Sequence, residues 1–297
     1  MKILPRFLHE PSFDEEVILR RDERYPKICV VTPSYNQAEF LERTILSVLN
    51  QNYANLEYII IDGGSTDGSV EIIKKYEKYL SCWMSQPDKG QADAINKGFR
   101  GSNADLIAWQ NSDDVYVPGA FEKIRTMYAK YKNAEVLFGN AYIIDADDTI
   151  LQEMRYHPFS VRHLIYYGWN LTNQAAFWKT SVFKKVGYLL NYPVAFDWDW
   201  FIRLGVAGFR FQFVREFLGA YRIQQNSKLF QIRDRDLVEK DILLRHGFKC
   251  DSPFDFYRRH RARRLYYMML KLTYHVAQSD FSYIFFLMKN RFRLRGI

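Results

Sequence analysis

The sequence predicts an α/β protein: a mostly parallel central sheet with helices on both faces, plus a basic helical segment at the end. Three observations carry this. From Ile28 to Gln110, short β-branched or apolar runs alternate with stretches of helical periodicity. Each run stops in a polar turn, and alternation at that spacing implies strand–helix–strand crossovers and a parallel sheet. Across 297 residues, 48% are hydrophobic and 26% charged, which is globular composition and enough to bury a core without disulfide staples.

The elements follow in order. Residues 1–25 read as a polar, irregular lead-in. Ile28–Val31 is a buried strand ending at Thr32-Pro33, and Asn36 with Glu39 forms a capping-box pattern. Leu41, Ile45, Val48 and Leu49 recur at helical spacing. Tyr58–Ile61 is the next strand, closed by Asp62-Gly63-Gly64. Ser69 is placed to cap a helix carrying Val70, Ile73 and Tyr76. Trp83-Met84 reads as a short strand, Gln91–Phe99 as a helix and Leu106–Gln110 as a strand.

The second half is less regular. Glu135–Gly139, Tyr142–Ile144 and Thr149–Gln152 read as strands, the last two joined by a turn at Asp145–Asp148. Asp145, Asp147 and Asp148 lack the spacing and glycine of an EF-hand, so a hairpin turn is the better reading. Thr172–Trp178 is a further candidate strand, Asp197–Val206 a helix and Phe211–Val214 a strand. A boundary is expected near Gly247–Pro253, giving a lead-in over 1–25, a main domain over 26–250 and a tail over 251–297.

Charge is segregated. The chain has 42 Lys/Arg and 34 Asp/Glu, a net +8; from Phe254 to Ile297 there are ten Lys/Arg and two acids, so the whole excess lies in the tail. A basic, aromatic helical tail suits an anionic membrane surface, nucleic acid, or ordinary packing on the main domain. The neutral main domain weighs against nucleic acid. Cys29, Cys82 and Cys250 form neither a disulfide framework nor a metal spacing and are expected to be buried free thiols in a reducing compartment. Met1–Glu16 has a proline at position 5 and no apolar h-region, so no signal peptide is expected. Tyr283–Met288 is far too short to span a bilayer. The expected location is cytoplasmic, with the tail a candidate for peripheral attachment.

Ligands of an open parallel sheet bind beyond the carboxyl ends of its strands. Three such ends carry polar residues: Thr32–Asn36, Asp62–Asp67 and Asn111–Asp114. No segment matches G-x-G-x-x-G or a Walker P-loop, so dinucleotide dehydrogenases and P-loop NTPases lose ground. Asp113 and Asp114 are adjacent carboxylates that repel one another. A bound hard cation explains them; so does a solvated turn before Pro118, or a helix cap.

Taken together, Pro33-Ser34-Tyr35-Asn36, Asp62–Gly68, Asp88-Lys89-Gly90-Gln91, Asn111-Ser112-Asp113-Asp114, Asn173–Trp178 and Phe196-Asp197-Trp198-Asp199 resemble the family-2 glycosyltransferases of GT-A fold. The resemblance covers residues 26–230 in the right order and implies a donor part over 26–120 and an acceptor and catalytic part over 121–250. It implies an inverting transfer from a nucleotide-sugar donor, UDP by default, and a divalent cation, Mn²⁺ or Mg²⁺. It places Pro33 and Tyr35 near the base and Asp62 on the nucleobase. Asp113 and Asp114 fall in the D-x-D region, with Asp113 toward ribose or metal and Asp114 preferred as metal ligand. Asn111 stands where many relatives carry the first acid of that motif. Lys89, beside Gly90, either adds positive charge near the diphosphate or is a surface lysine.

Asp197 matches the family's catalytic aspartate, although Phe196 replaces the acid common before it. Residues two apart on a helix do not share a face, so Asp197 is taken as the base and Asp199 as a cap or orienting group. Without the resemblance, Asp197 reads equally as an N-cap. Tyr221–Lys228 resembles a downstream motif in which Gln224 stands where many relatives have His. Trp178 and Trp198 are expected near a saccharide or lipid-linked acceptor, the alternative being core packing. A non-catalytic sugar-nucleotide or glycan binder on the same fold is the competing function. The acids Asp62, Asp113, Asp114 and Asp197 argue against it, because a binder needs no base.

Overall fold

The computed structural model describes residues 5–224, 235–281 and 283–285. Nine strands form one sheet, in the order β3-β2-β1-β4-β8-β6-β9-β5, with β7 paired on β6. Here β1 is Ile28–Ser34, β2 Leu56–Asp62, β3 Cys82–Ser85, β4 Leu106–Trp109, β5 Val115–Tyr116, β6 Val136–Ile144, β7 Ile150–Met154, β8 Ala176–Lys179 and β9 Phe211–Arg222. The expected α/β architecture is present. Strands β1 to β4 pair in parallel. Beyond β4 the pairing is mixed: β8 runs antiparallel to β4 and β6, while β9 is parallel to β6.

Helices cover both faces. Phe177 and Trp178 are neighbours on β8 and point to opposite sides, as strand periodicity requires. Phe177 meets Tyr116 and Phe121, the latter on α6 (Ala120–Lys130). Trp178 meets Trp109, Phe99 of α5 (Gln91–Arg100) and Trp200 of α9 (Phe196–Val206). On the Phe177 side, α3 (Ala38–Leu49) packs against β5, and the Ser47 hydroxyl accepts the Tyr116 amide.

Several local expectations change. The lead-in is helical: α1 (Pro5–His9) and α2 (Glu15–Arg20) bury Leu8 and Ile18, and the Asn50 amide donates to the carbonyls of Phe7 and Glu10. Helices of five and six residues are too short to show periodicity. The Asn36/Glu39 capping box does not form. Asn36 sits at φ 50°, its Oδ1 accepts the Thr66 amide, and α3 starts after Gln37. Ser69 is inside α4 (Ser69–Tyr76), which follows Gly68. The two strands expected at 135–144 are one, β6. Thr172–Trp178 divides into a 3₁₀ turn at Asn173–Ala175 and β8. Strand β9 runs eight residues past Val214, to Arg222.

The helix α7 (Val161–Tyr166) packs on both α9 and the tail, where α11 (Pro253–Arg259) is followed by α12 (Arg261–Ala277); α8 (Phe183–Val186) precedes α9, and α10 (Arg235–Arg245) lies at the end of the main domain. The Tyr166 ring stacks on Phe256 and on Tyr267. One buried cluster includes Ile242, Leu243, Cys250 and Phe256, so apolar packing continues through the Gly247–Pro253 region. Among the described residues, no helix is long and apolar enough to cross a membrane. Cys29 and Cys250 are buried, but Cys82 is exposed on the edge strand β3.

Candidate active site

The carboxyl ends of β1, β2, β3 and β4 open at one edge of the sheet. At the end of β2, Asp62 is fully buried. Its Oδ2 accepts the amides of Gly64 and Ser65 and the Ser85 hydroxyl at 2.7 Å; its Oδ1 accepts the Ser65 hydroxyl at 2.5 Å. Burial works to raise its pKa, and the hydrogen bonds from Ser65 and Ser85 outweigh burial and hold it below the ordinary value. Asp62 therefore fixes its own loop, and a contact with a nucleobase must compete with those four donors. Gly63 follows. A Cβ there would lie 3.0 Å from Asp88 Oδ2 and 3.2 Å from the Tyr35 ring, so glycine keeps that cradle clear without either neighbour shifting. Tyr35 is 57% exposed above it, offering a large ring to solvent at this rim near Pro33. Lys89 is exposed, and Gly90 at φ 111° turns the chain into α5 while donating to Asp88 Oδ1.

At the end of β4 the two adjacent acids have different surroundings. Asp114 is completely buried. Its Oδ2 accepts the side-chain amides of Asn111 (2.8 Å) and Gln174 (2.6 Å), and its Oδ1 accepts the Arg222 amide (2.8 Å). Burial, then the Asp113 charge, push its pKa up. Gln174 reaches it because Gly219 lets β9 pass close by; a Cβ at 219 would lie 1.9 Å from the Gln174 carbonyl oxygen. Asp113 is partly exposed, and its Oδ2 accepts the Gln224 amide at 2.6 Å. The sequence reading prefers Asp114 as the cation ligand. Its oxygens are committed to three internal donors below the surface, whereas Asp113 lies at the opening.

No group of three His, Cys, Asp or Glu side chains able to hold a metal occurs among the described residues. The fit is to a hard cation that arrives with its own oxygen ligands. Mg²⁺ and Mn²⁺ commonly take one or two carboxylates and complete their shell with phosphate and water.

Asp197 lies in the first turn of α9. Phe196 packs its ring 6.1 Å from Trp109, the last residue of β4, which ties the first turn of α9 to the end of that strand. The loop leading into α9 is tied to the donor side, since the Asn191 amide donates to the Lys89 carbonyl and Asn96 brackets Leu189 with two hydrogen bonds. The Asp197 Oδ1 accepts the Trp198 amide at 2.9 Å, and no side-chain ion pair holds it among the described residues. Burial pushes its pKa up to about 6. Asp199 is turned inward and bonded to Arg203 (2.7 Å) and His246 (3.2 Å), which keeps the two acids on different faces.

Two expected acceptor residues are core residues. Trp178 is fully buried between Trp109 and Trp200, and Trp198 is buried with its Nε1 donating to the Leu164 carbonyl. Neither ring presents a face to a ligand. Trp169, by contrast, is 41% exposed. Arg222 is the site residue that sequence reasoning left without a role. It is fully buried, donates from Nε to the Asp113 carbonyl and from a terminal nitrogen to the Asp145 carbonyl, and pairs with Asp148. The available signal was a cation directly after the apolar run Leu218–Tyr221. The residues Gln225 to Lys228 of the expected downstream motif lie outside the described residues.

Comparison with known proteins agrees with this arrangement. The profile of Glycosyl transferase family 2 matches residues 29–188. An uncharacterised glycosyltransferase of Mycobacterium tuberculosis is 31% identical over 183 residues, covering 60% of this chain and 68% of the relative. A putative teichuronic acid biosynthesis glycosyltransferase of Bacillus subtilis is 30% identical over 141 residues, covering 46% and 56%. Two solved structures share the fold. They are S. aureus TarS 1–349 in complex with UDP-GlcNAc (TM-score 0.61, 13% identity, 73% of this chain and 64% of that one) and a mannosyltransferase of Pyrobaculum calidifontis in complex with GDP-Man and Mn²⁺ (TM-score 0.58, 15% identity, 92% and 80%). With half of its length under the family profile, its strand-end acids gathered at one edge and its sheet shared with these enzymes, the chain belongs to glycosyltransferase family 2 and has the GT-A-like fold.

Proposed function

We propose that this glycosyltransferase transfers a sugar, with inversion, from a nucleotide-sugar donor to a hydroxyl of a saccharide or lipid-linked acceptor in glycan synthesis. UDP is the default nucleotide. The observation that carries the reading is Asp197: a carboxylate with no side-chain ion pair among the described residues, raised to about 6 by burial, in the helix turn whose Phe196 packs on Trp109 at the end of β4. An acid of that pKa is ionised at neutral pH and is a stronger base than an ordinary aspartate. The donors named in the TarS and mannosyltransferase structures support a nucleotide-sugar, and the Bacillus relative's name supports glycan synthesis.

In the proposed reaction the acceptor oxygen attacks the anomeric carbon from the side opposite the diphosphate. Its proton passes to an Asp197 oxygen as the new C–O bond forms and the bond to the diphosphate breaks. Tyr35 offers its exposed face to the base, and Asp62 holds the loop that carries Gly63 under it. Asp113, with the donor's phosphates, would hold Mn²⁺ or Mg²⁺, and such a cation supplies Lewis-acid stabilisation of the leaving diphosphate. Lys89 is exposed on the neighbouring loop as a further positive charge.

The test is thermal stabilisation by a panel of nucleotide sugars with and without Mn²⁺, followed by transfer assays in chelator. One donor should raise the unfolding midpoint by mass action, and chelation should abolish transfer until Mn²⁺ or Mg²⁺ is restored. Donor binding with neither transfer nor hydrolysis would favour the non-catalytic binder, and full activity in chelator would remove the cation.

A further inference from the structure

Helix α12 exposes apolar side chains while it turns polar ones inward. The side facing the protein carries Tyr267, Lys271, Tyr274 and the fully buried His275. The other side carries Leu265, Met269 and Val276, at spacings of four and seven that place them on one stripe, flanked by Tyr266 and Leu270. These five side chains are each 43–59% exposed. Phe254, in the first turn of α11, and Phe281, beyond the end of α12, are exposed as well. A contiguous apolar stripe on an exposed helix face marks an interaction surface.

From this face we infer a docking surface for an anionic lipid bilayer, with α12 lying in the plane of the interface. Charge selects that occupant. Arg258, Arg259, Arg261 and Arg264 crowd the N-terminal end of the stripe. The tail's three acids are already engaged: Asp251 with Arg259, Asp255 with Arg258 and Ser252, and Asp280 with Arg155, Arg215 and His275. A second copy seated on the stripe would bring the same arginine cluster against its twin, with no carboxylate in the segment left to receive it. An anionic bilayer takes up the apolar side chains and neutralises the arginines together. The surface is also coupled to the catalytic helix. Helix α12 packs on α7, and the α7 carbonyl of Leu164 accepts the Trp198 indole one residue from Asp197. A membrane at α12 thus lies two helix layers from the proposed base. The inference rests on α11 and α12 and stands whether or not the donor reading holds.

The experiment is flotation of the full chain with phosphatidylglycerol-containing vesicles and with pure phosphatidylcholine vesicles, at low and high salt. Binding to the anionic vesicles is expected, weaker by roughly tenfold or more on phosphatidylcholine or at high salt. Met269→Glu with Val276→Glu, both at exposed positions, should cost a similar factor while leaving the thermal unfolding midpoint unchanged. Arg258→Glu with Arg261→Glu should remove the salt dependence. Equal flotation of all variants overturns the inference. So does a dimer in analytical ultracentrifugation that Met269→Glu with Val276→Glu dissociates in the absence of vesicle binding, or salt-sensitive binding to duplex DNA in its place.

Discussion

The guanidinium of Arg222 meets the Asp148 carboxylate at 2.6 Å, and both side chains are closed off from water, at 0% and 3% exposure. Asp148 lies in the β6–β7 turn, where Arg43 and His9 also reach it. Arg222 ends β9 and holds the Asp113 carbonyl. The pair therefore locks the hairpin turn, the N-terminal helix and the acidic strand end into one unit. Burial works to raise the Asp148 pKa, and the Arg222 charge overrides it and holds the group ionised.

Removing one partner of a buried ion pair strands the other. Arg222→Ala should destabilise the fold by about 3–5 kcal/mol, measured by denaturant unfolding. Arg43→Ala should cost distinctly less, because Asp148 keeps Arg222. Equal losses for the two variants would remove Arg222 from the centre of this network.

Asp113 and Asp114 are adjacent in sequence and separable by experiment. Asp114→Asn should destabilise by about 1–3 kcal/mol, since an NH₂ group would face one of the donors that the carboxylate now satisfies, on Asn111, Gln174 or the Arg222 amide. Asp113→Asn should leave the unfolding midpoint close to wild type and weaken Mn²⁺-dependent donor binding at least about tenfold, the loss expected when one charged ligand goes. Calorimetric titration alongside unfolding decides it. The reverse pattern would return the cation to Asp114.

How much was legible in the sequence follows from which forces leave a local trace. Strands β1, β2 and β4 were legible because they are buried on both faces and read as continuous apolar runs. The strand-end acids were legible because glycines and carboxylates cluster there and because the ordered motifs resemble a family. Side-chain direction was not. Trp178 and Phe177 are neighbours with opposite faces, and only the sheet's neighbours reveal that both rings are internal. The difference between Asp113 and Asp114 depends on Gln174 and Arg222, which are 60 and 108 positions from Asp114. Antiparallel β8 between β4 and β6 was equally hidden, because its partners are non-local.

His157 and His163 form a buried pair under α12, with Nε2 atoms 3.3 Å apart. Burial pushes their pKa values down to about 4 and about 2, and Lys271 acts in the same direction on both. His275 is lowered by burial as well. A histidine with a depressed folded pKa contributes stability that is present above its unfolded value near 6.5 and lost as pH falls, because the unfolded chain binds the proton more readily. Unfolding free energy should therefore fall by up to roughly 2 kcal/mol per pH unit between about pH 6 and pH 4. His163→Leu should flatten that slope by about half. Wild-type unfolding midpoints that match at about pH 6.5 and pH 4.5 would show that the pair is not held neutral.

Asp197 and Asp199 share the first turn of α9 and differ in what holds them. Asp199 is locked to Arg203 and His246, so Asp199→Asn should act on stability, with donor affinity and turnover preserved in whatever fraction folds. Asp197 has no such partner among the described residues, and its loss should act on chemistry. General-base catalysis is worth about 10²–10⁴-fold, so Asp197→Asn should cut turnover by that factor while donor affinity survives. Because burial raises this carboxylate to about 6, wild-type turnover should fall as pH drops through about 6, where the base takes up its proton. An ordinary aspartate would keep its activity down to about pH 4. Pairing turnover with donor affinity across that range separates the alternatives. A flat wild-type profile down to pH 4, or an Asp197→Asn enzyme within a few-fold of wild type, would mean that the proton of the acceptor hydroxyl leaves by another route.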